Sequence, residues 1–521
     1  MCKYQIFKSE SYNMHCGIDV YKRQPNAMRR GLATLPVSLG NSLAYFTSNS
    51  SHGIRSASPV SYTHLDVYKR QVLGADSLGI YSYVSSSGSI VSTLAMLGIY
   101  AYGTRQIAYT RDEPKELNKT FWEIMTLRCV LTVIGTAFYF TYMRLNDKYD
   151  LFFLVYFPYV LAEFIDCSWV YVGLEEMKPT VAKNLVAKLF SVIGIFLFVK
   201  KKEDLILYFV IVSATSIIAS FSIYFKLNKY ITLKKPSWGF RRLFKHLSGS
   251  FVLFLPQAAS LLYLQVDKVM IEWLTNQTAQ LSYYDQAEKI VSIPLSIITV
   301  LSSVMMPRIA NEFYKDNMEK IKELLLYAGR FSLLIAFPLM VGIICIAYQF
   351  IPWYLGNEFV ATAHALIILA PIVVFNTLSG ISGTQYFTAT NQVSVLTRTY
   401  VVAAITNLVV NALLIPKFGY AGAAIATVIS SFVLVVYQYA YLIRQINLKS
   451  LVSICLKYGI VSLIMGIVVW GITQNYTCSP ITTVLQGLIG IIVYFGILLI
   501  VKDKTVMDGF YMLKNYMRRK I

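Results

Sequence analysis

The chain has 521 residues, of which 56% are hydrophobic and only 14% are charged, and its mean hydropathy is +0.54. A soluble domain carries roughly 25% charged residues, so this composition excludes an ordinary soluble protein and indicates a chain that exposes apolar surface to lipid. The formal net charge of +20 is better explained by basic loops that face anionic lipid than by nucleic-acid binding. We therefore predict membrane lipids, and no nucleic acid, as partners.

The first 71 residues differ from the rest of the chain. The hexapeptide 19–24 recurs identically as 66–71, in Ser-rich sequence of low hydrophobicity that has neither helical nor strand periodicity. One reading is a twin basic recognition motif. The interpretation that we favour is that residues 1–71 resemble translated adaptor sequence and are not natural protein, so we exclude them from the fold prediction.

The remainder consists of long apolar runs. A helix that crosses ~30 Å of hydrocarbon needs about 20 mostly apolar residues. Thirteen such runs follow in chain order: 80–101, 121–143, 150–172, 183–200, 204–226, 248–273, 283–306, 325–348, 361–389, 398–416, 420–443, 451–472 and 481–501. We expect the run 361–389 to be tilted or broken around Pro371 and Gly380–Gly383. The sequence thus predicts an all-α polytopic membrane protein.

The loops between these runs predict the orientation of the chain. Lys and Arg concentrate in alternate loops, and the most basic ones are 105–119, 226–245 and 308–330. The loops on the opposite side at 274–282, 349–360 and 473–480 contain no Lys or Arg. Because basic loops stay in the cytoplasm, we predict that the basic loops and the C-terminus are cytoplasmic.

Cysteine and histidine offer little material for metal chemistry. The seven cysteines are scattered without a CxxC pattern, and three of the five histidines fall within the first 71 residues. Cysteines inside apolar runs behave as small hydrophobic residues. We predict no metal site, no disulfide framework and no cofactor.

Charged residues inside membrane spans are costly, so each is a functional candidate. Arg128, Glu163, Asp166 and Lys188 lie at a similar depth in three consecutive predicted helices, and Glu163 and Asp166 share one helical face. These residues form a predicted inner binding or gating cluster. The alternative is that the opposite charges pair only to neutralise each other.

A second predicted group lies near the outer surface. Gln257 and Lys268 share one face of the run 248–273, and Asp267 and Glu272 flank Lys268. The next run carries a polar stripe, and a short loop joins the two helices, so the polar faces can meet. This stripe consists of Asp285, Glu288, Lys289 and Ser292. A salt bridge within this helical hairpin, without any ligand, is the simpler alternative.

Four stretches carry a resemblance that hydropathy alone does not supply. They are Val72–Tyr83 followed by Gly98–Ala108, Asp166–Glu175 with Asn184, Phe254–Gln257 leading to Tyr263–Lys268, and Tyr283–Lys289 running on to Met306–Arg308. As an ordered set they resemble the polysaccharide transporter family, the flippases of O-antigen and capsule repeat units within the superfamily that includes multidrug exporters and the lipid II flippase. The resemblance implies a MATE-like fold with two six-helix bundles, two C-terminal helices and a central cavity. Compared with the family pattern, we expect the first helix to be missing or replaced.

The resemblance gives the following domain prediction. Residues 72–226 form an N-terminal bundle, 227–247 a basic cytoplasmic linker, 248–443 a C-terminal bundle, and 444–521 two accessory helices with a basic tail. Residues 1–71 stay outside this scheme.

The implied activity is translocation of an undecaprenyl-diphosphate-linked oligosaccharide across the plasma membrane by alternating access, without bond chemistry. Diphosphate needs cationic partners, for which the candidates are Arg128, Lys188, Lys268 and Lys289. Sugars need hydrogen bonds and aromatic faces, for which the candidates are Gln257, Tyr263, Tyr283 and Tyr284. Asp267 or Glu288 could couple transport to H⁺ or Na⁺. The machinery that polymerises such repeat units is a candidate protein partner.

Two other functions remain open at this point. A cation-coupled small-molecule exporter of the same superfamily would share the architecture. A membrane enzyme, such as an O-antigen polymerase or a glycosyltransferase, generally needs a sizeable outer loop, and the predicted outer loops here are short. We therefore predict a transporter and not an enzyme.

Overall fold

The computed structural model describes residues 59–232 and 240–508, all of which belong to one compact unit, Ile54–Ile521. The predictions for residues 1–58, for 233–239 of the basic linker and for the tail 509–521 lie outside the described residues. Within helices, the side chains at 59–67, 71, 240–243, 256, 259, 262 and 303 are not described either.

Within the described ranges the backbone forms only helices and turns, which confirms the predicted all-α fold. The α-helices are α1 (Pro59–Met96), α2 (Ile99–Thr110), α3 (Pro114–Arg144), α4 (Asp150–Ile165), α5 (Ser168–Gly173), α6 (Met177–Phe198), α7 (Leu205–Ser222), α8 (Phe240–Thr275), α9 (Thr278–Tyr314), α10 (Met318–Leu355), α11 (Val360–Leu369), α12 (Ile372–Ser379), α13 (Val393–Phe418), α14 (Tyr420–Leu442), α15 (Lys449–Thr473) and α16 (Pro480–Ile500). Short 3₁₀ helices lie at Asp147–Tyr149, Lys202–Asp204, Ile223–Lys229 and Asn357–Phe359.

Helix α1 begins before the first predicted run. It continues through Gly74, a kink with φ 74° and ψ 177° that favours glycine. The turns before the kink contact the bundle: the hydroxyl of Tyr68 donates to the carbonyl of Val199 at 2.8 Å, and Arg70 lies 5.4 Å from the ring of Tyr354. Such tertiary contacts are not visible in local periodicity, which explains why no helix was predicted here.

Two spans are broken, and each break has a local cause. The axis bends by 45° between α1 and α2, where Gly98 adopts φ 75° and a Cβ would lie 2.9 Å from the backbone of α8. The axis bends again by 43° around Pro371, which follows α11, because proline cannot donate the helical hydrogen bond. A π-helical segment, Gly380–Thr388, completes this second span. The predicted break in 361–389 is thus confirmed.

The apolar helices match the predicted runs closely. Among the described residues, ten helices are long and apolar enough to cross a membrane, or twelve if each bent pair counts as one span. Helix α8, along which several side chains are not described, coincides with the remaining predicted run, 248–273. The multi-pass character of the chain is confirmed.

Helices α8 and α9 occupy a connecting position in the bundle. Both pack against α1, while α8 also packs on α13, and α9 on α10 and α11. Helices α15 and α16 pack on α10 and on each other, at the side of the bundle. A change in the position of α8 or α9 therefore alters packing contacts with both the N-terminal and the C-terminal helices.

Candidate functional site

The α8–α9 hairpin brings two pairs of consecutive residues face to face. The helices are joined by the short turn Asn276–Gln277, where Asn276 adopts the left-handed conformation with φ 55°. Asp267 and Lys268 on α8 then meet Tyr284 and Asp285 on α9. Because consecutive residues on a helix point about 100° apart, the two pairs serve two different sites.

The first site, which we call the lysine network, lies where α8 and α9 contact α1. It consists of Ser82, Lys268, Asp285, Glu288 and Lys289. The ammonium of Lys268 lies 2.9 Å from Asp285 Oδ1 and 2.9 Å from Glu288 Oε2. Asp285 Oδ2 accepts a hydrogen bond from Lys289 at 2.5 Å and another from the hydroxyl of Ser82 at 2.7 Å.

Burial and charge balance explain how the lysine network is stable. Asp285 is only 2% exposed, and a buried carboxylate needs opposite charges and hydrogen bonds. Two lysines and two carboxylates leave the network formally neutral. The side chains of Glu288 and Lys289 stay 32% and 27% exposed, so the network has an accessible edge. An anionic ligand at this edge could replace a carboxylate as the partner of a lysine.

The second site, which we call the Asp267 site, is enclosed by C-terminal helices. Asp267 is 1% exposed and accepts hydrogen bonds from Tyr284 at 2.6 Å, from Thr427 at 2.7 Å and from the amide of Asn411. Asn411 in turn donates to Asn407 at 3.0 Å. Within the described residues no basic side chain pairs with Asp267. The site therefore holds one carboxylate among neutral oxygen and nitrogen groups, an environment in which a proton or a small cation could bind.

Three of the predicted inner residues lie together. Arg128 is 3% exposed and donates to the carbonyl oxygens of Phe164 at 2.5 Å and Glu163 at 2.7 Å, at the C-terminal end of α4. The carboxylate of Glu163 accepts from the hydroxyl of Ser92 on α1. Arg128 thus supports the end of α4 through the backbone, whereas the carboxylate of Glu163 contacts a neutral partner.

Asp166 has a basic partner that the sequence analysis missed. The ammonium of Lys183 lies 2.6 Å from Asp166 Oδ1 and 3.0 Å from the hydroxyl of Ser168, which also donates to Asp166. The basic residues predicted for this cluster were Arg128 and Lys188; Lys188 lies five residues further along α6, and its role stays a prediction. Lys183 is the first residue of the predicted apolar run 183–200, where a lysine is typical of the sequence that flanks a membrane span.

Contacts at the predicted outer end join N-terminal segments to α8. Glu272, 3% exposed, accepts from Lys148 at 2.8 Å and from the hydroxyl of Tyr149 at 2.5 Å. The indole of Trp273 donates to Tyr83 at 2.8 Å. These contacts hold α8 against N-terminal segments at the predicted outer end, and Lys148 and Tyr149 are partners that no pattern in the sequence indicated.

The predicted sugar-binding residues lie in different surroundings. Tyr263 is buried and shares a hydrogen bond of 2.6 Å with Ser431, and Tyr284 belongs to the Asp267 site. Tyr283 packs edge-on against Phe359 and Tyr420, with ring centroids 6.3 and 5.8 Å away. Gln257 is partly buried on α8. Their contact with sugar stays a prediction.

The comparisons with known proteins agree with the resemblance found in the sequence. Residues 66–313 match the family model described as polysaccharide biosynthesis protein. A probable low-salt glycan biosynthesis flippase, Agl15, from Haloferax volcanii is 25% identical over 433 residues, covering 82% of this chain and 88% of the relative. A putative O-antigen transporter from Shigella dysenteriae is 21% identical over 377 residues, covering 71% of this chain and 93% of the relative. Both relatives are named for transport, in agreement with the predicted non-enzymatic transporter.

Solved structures identify the fold. The lipid II flippase MurJ in an inward closed conformation superimposes with a TM-score of 0.68 at 18% identity, covering 89% of this chain and 98% of MurJ. An inward-facing multidrug resistance MATE family transporter gives a TM-score of 0.59 at 12% identity, covering 78% and 99% of the two chains. The predicted MATE-like architecture is confirmed. The chain thus resembles the polysaccharide biosynthesis protein family over residues 66–313 and shares its fold with MurJ and MATE transporters.

Proposed function

We propose that this protein is a flippase that translocates undecaprenyl-diphosphate-linked oligosaccharide repeat units across the plasma membrane, by alternating access, for surface polysaccharide biosynthesis. The observation that carries the proposal is the lysine network, a set of paired charges at the contact between α1 and the α8–α9 hairpin. The names of the two relatives, a glycan biosynthesis flippase and an O-antigen transporter, support the substrate class.

The chemistry of the substrate fits the lysine network. A lipid-linked diphosphate carries negative charge that is costly to bring into a low-dielectric space unless cations receive it. Lys268 and Lys289 already stand beside each other because both pair with Asp285. In our proposal the diphosphate competes with Asp285 and Glu288 for these lysines, so substrate arrival weakens the ion pairs that join α8 to α9.

We further propose that the Asp267 site couples an ion to this exchange. Asp267 and Lys268 are neighbours on α8, so a proton or Na⁺ that alters the position of Asp267 also alters that of Lys268. Asp267 is buried and its described hydrogen-bond partners are neutral, so no described basic side chain balances its negative charge, which supports a cationic ligand. Transport assays with imposed gradients distinguish H⁺ from Na⁺.

The orientation and location belong to the same proposal. The basic loops favour a cytoplasmic C-terminus, so substrate enters at the end of the bundle near residue 240 and leaves at the end near residue 276. The machinery that polymerises exported repeat units is a candidate partner at the outer face. A cation-coupled small-molecule exporter is the alternative function; the fold is compatible with both, and the names of the relatives favour the flippase.

The test measures in which leaflet lipid-linked oligosaccharide accumulates after the gene is deleted from its host and then resupplied. We expect accumulation on the cytoplasmic face, relieved by the wild-type gene and not by the double variant Lys268→Ala/Lys289→Ala. The matched control is Lys320→Ala/Lys322→Ala, which removes two exposed lysines of α10 that pair with Glu323 and Glu319. A normal leaflet distribution after deletion would contradict the flippase and leave the small-molecule exporter.

A further inference from the structure

The C-terminal part of the chain contains a long segment without acidic residues. Residues 359–502, which include α11 to α16, contain neither Asp nor Glu. The basic side chains of this segment therefore cannot find a carboxylate within it. Lys457 solves the problem by pairing with Asp503, beyond the end of the segment. Two exposed arginines at the predicted cytoplasmic end, Arg398 and Arg444, form no ion pair with a carboxylate in the described part of the chain.

The two arginines come from helices that are fastened to each other at this end. Gln392 precedes α13 and Gln445 follows α14, and their side-chain amides exchange two hydrogen bonds of 2.8 and 2.9 Å. Further along, the amide of Gln438 on α14 donates to the hydroxyl of Thr399 on α13 at 3.4 Å. Thr399 is the neighbour of Arg398, so these contacts fix the backbone that carries each arginine.

Two tyrosines of α14 connect the arginines. The ring centroids of Tyr437 and Tyr441 are 5.5 Å apart. The guanidinium of Arg444 lies 6.0 Å from the ring of Tyr441, and Arg398 acts electrostatically on Tyr437. We call these four residues the arginine patch. Two forked cations and two hydroxyl groups at a half-exposed surface are a set of partners that suits a phosphate group.

An exposed apolar surface continues from the arginine patch towards the predicted middle of the membrane. On α13, Val401 and Ile405 lie about one and two turns beyond Arg398. On α14, Val436 and Phe432 precede the tyrosines of the patch. All four apolar side chains are at least 40% exposed. This surface is of the kind that acyl chains cover in a bilayer.

We propose that the arginine patch binds the phosphate headgroup of an anionic phospholipid of the predicted cytoplasmic leaflet, with the acyl chains along the apolar surface of α13 and α14. An anionic phospholipid supplies the negative charge that the segment 359–502 lacks, and such lipids are abundant in the cytoplasmic leaflet. A zwitterionic phospholipid offers the same acyl chains without a net charge. The inference goes beyond the proposed function and does not rest on it, because such a lipid binds whatever the cargo.

The test measures lipid preference beside the patch, on the full chain in lipid nanodiscs. A bimane fluorophore is attached at Val401→Cys, in a background in which the native cysteines are alanine. Palmitoyl-oleoyl phosphatidylglycerol or the corresponding phosphatidylcholine, each with a nitroxide on the acyl chain, is added at increasing mole fraction. We expect phosphatidylglycerol to quench the fluorophore at lower mole fraction. The preference should reach up to about 30-fold, or roughly fivefold for each arginine.

Two double variants connect this preference to the arginines. Arg398→Gln/Arg444→Gln removes both charges at exposed positions, so we expect a folded chain in which the two lipids quench almost equally. Arg398→Lys/Arg444→Lys keeps the charges but loses the forked geometry, so we expect an intermediate preference. The matched control is Lys320→Gln/Lys322→Gln, which removes two basic side chains of α10 that already pair with carboxylates. It should behave as the wild type.

Two outcomes would overturn the proposal. If both lipids quench the wild type equally, the patch does not recognise an anionic headgroup. If the preference for phosphatidylglycerol is undiminished in Arg398→Gln/Arg444→Gln, other groups of the protein provide it. Because the assay contains no lipid-linked oligosaccharide, failure of the lipid site and failure of the flippase are distinguishable.

Discussion

The lysine network and the Asp267 site lie side by side on the same hairpin, but their carboxylates have different kinds of partners. In the lysine network, two carboxylates and two lysines of α8 and α9 neutralise each other beside the contact with α1. In the Asp267 site, a single carboxylate is surrounded by a phenol, a hydroxyl and an amide from C-terminal helices. The difference teaches that a buried carboxylate in this membrane protein can be stabilised either by charged partners or by neutral hydrogen-bond donors alone.

The largest effect that this comparison predicts is that of Asp285→Ala. The substitution removes the acceptor shared by Lys268, Lys289 and Ser82, and removal of one partner from a buried ion-pair network costs about 3–5 kcal/mol. Thermal unfolding of the purified protein should show a large decrease in stability. The matched control is Glu288→Ala, at a position that is one-third exposed and binds only Lys268, where we expect a small decrease. Equal effects of the two substitutions would show that the network is not centred on Asp285.

The second effect is that of Asp267→Asn, which keeps the shape of the side chain and removes its charge. We expect transport to lose its dependence on an H⁺ or Na⁺ gradient, because the amide cannot exchange a proton or neutralise a cation. Stability should change by about 1–3 kcal/mol, since hydrogen-bond donors around the carboxylate lose part of their acceptor. Transport measured in vesicles with and without each gradient checks this expectation. Unchanged gradient dependence in the variant would remove Asp267 as the coupling residue.

A smaller effect compares the loss of one hydroxyl at each site. Thr427→Val removes a neutral donor from Asp267, which we expect to cost about 1.5–3 kcal/mol because no lysine compensates there. Ser82→Ala removes a donor from Asp285, where two lysines remain, and should cost about 0.5–1.5 kcal/mol. Denaturation of both variants under identical conditions gives the order. The reverse order would mean that the lysines do not stabilise Asp285 as the geometry suggests.

The smallest effect belongs to a pair outside the spans. Lys202 donates to Glu358 at 2.8 Å, and this hydrogen bond holds the pKa of Glu358 below its usual range. A lowered carboxyl pKa gives stability that is present above the usual pKa and is lost as the pH falls through the lowered value. Because both side chains are more than half exposed, water screens the pair. We expect Lys202→Ala to leave the melting temperature, and the dependence of the melting temperature on acid pH, unchanged. A clear shift in melting temperature would show that the Lys202–Glu358 pair stabilises the folded protein.

The sequence predicted most of the fold because hydropathy and helix length are local properties. The thirteen apolar runs coincide with helices, and Pro371 marked a real bend. The helix at 59–73 was missed because contacts such as that between Tyr68 and Val199, and not periodicity, hold it in place. Tertiary contacts of this kind leave no regular pattern in the chain.

For the candidate site, the sequence identified the charged residues but not all of their partners. Lys268, Asp285, Glu288 and Lys289 could be expected to meet because a short turn joins their helices. Ser82 lies about 200 residues away from Asp285 along the chain, and Lys183, which pairs with Asp166, was not among the predicted residues. Partner choice depends on how helices are rotated against each other, which spacing along one helix does not determine.

Helix α8 has 36 residues, so it is about 54 Å long at 1.5 Å per residue, well beyond the ~30 Å of the hydrocarbon layer. It carries His246 near one end and Glu272 near the other, and each binds N-terminal segments. A long rod that tilts about a fulcrum near its middle moves its ends in opposite directions. Tilting of α8 would therefore move one end away from its N-terminal partners while it pushes the other end towards them. The two sides of the membrane would then not be open at the same time, because one continuous helix controls both ends.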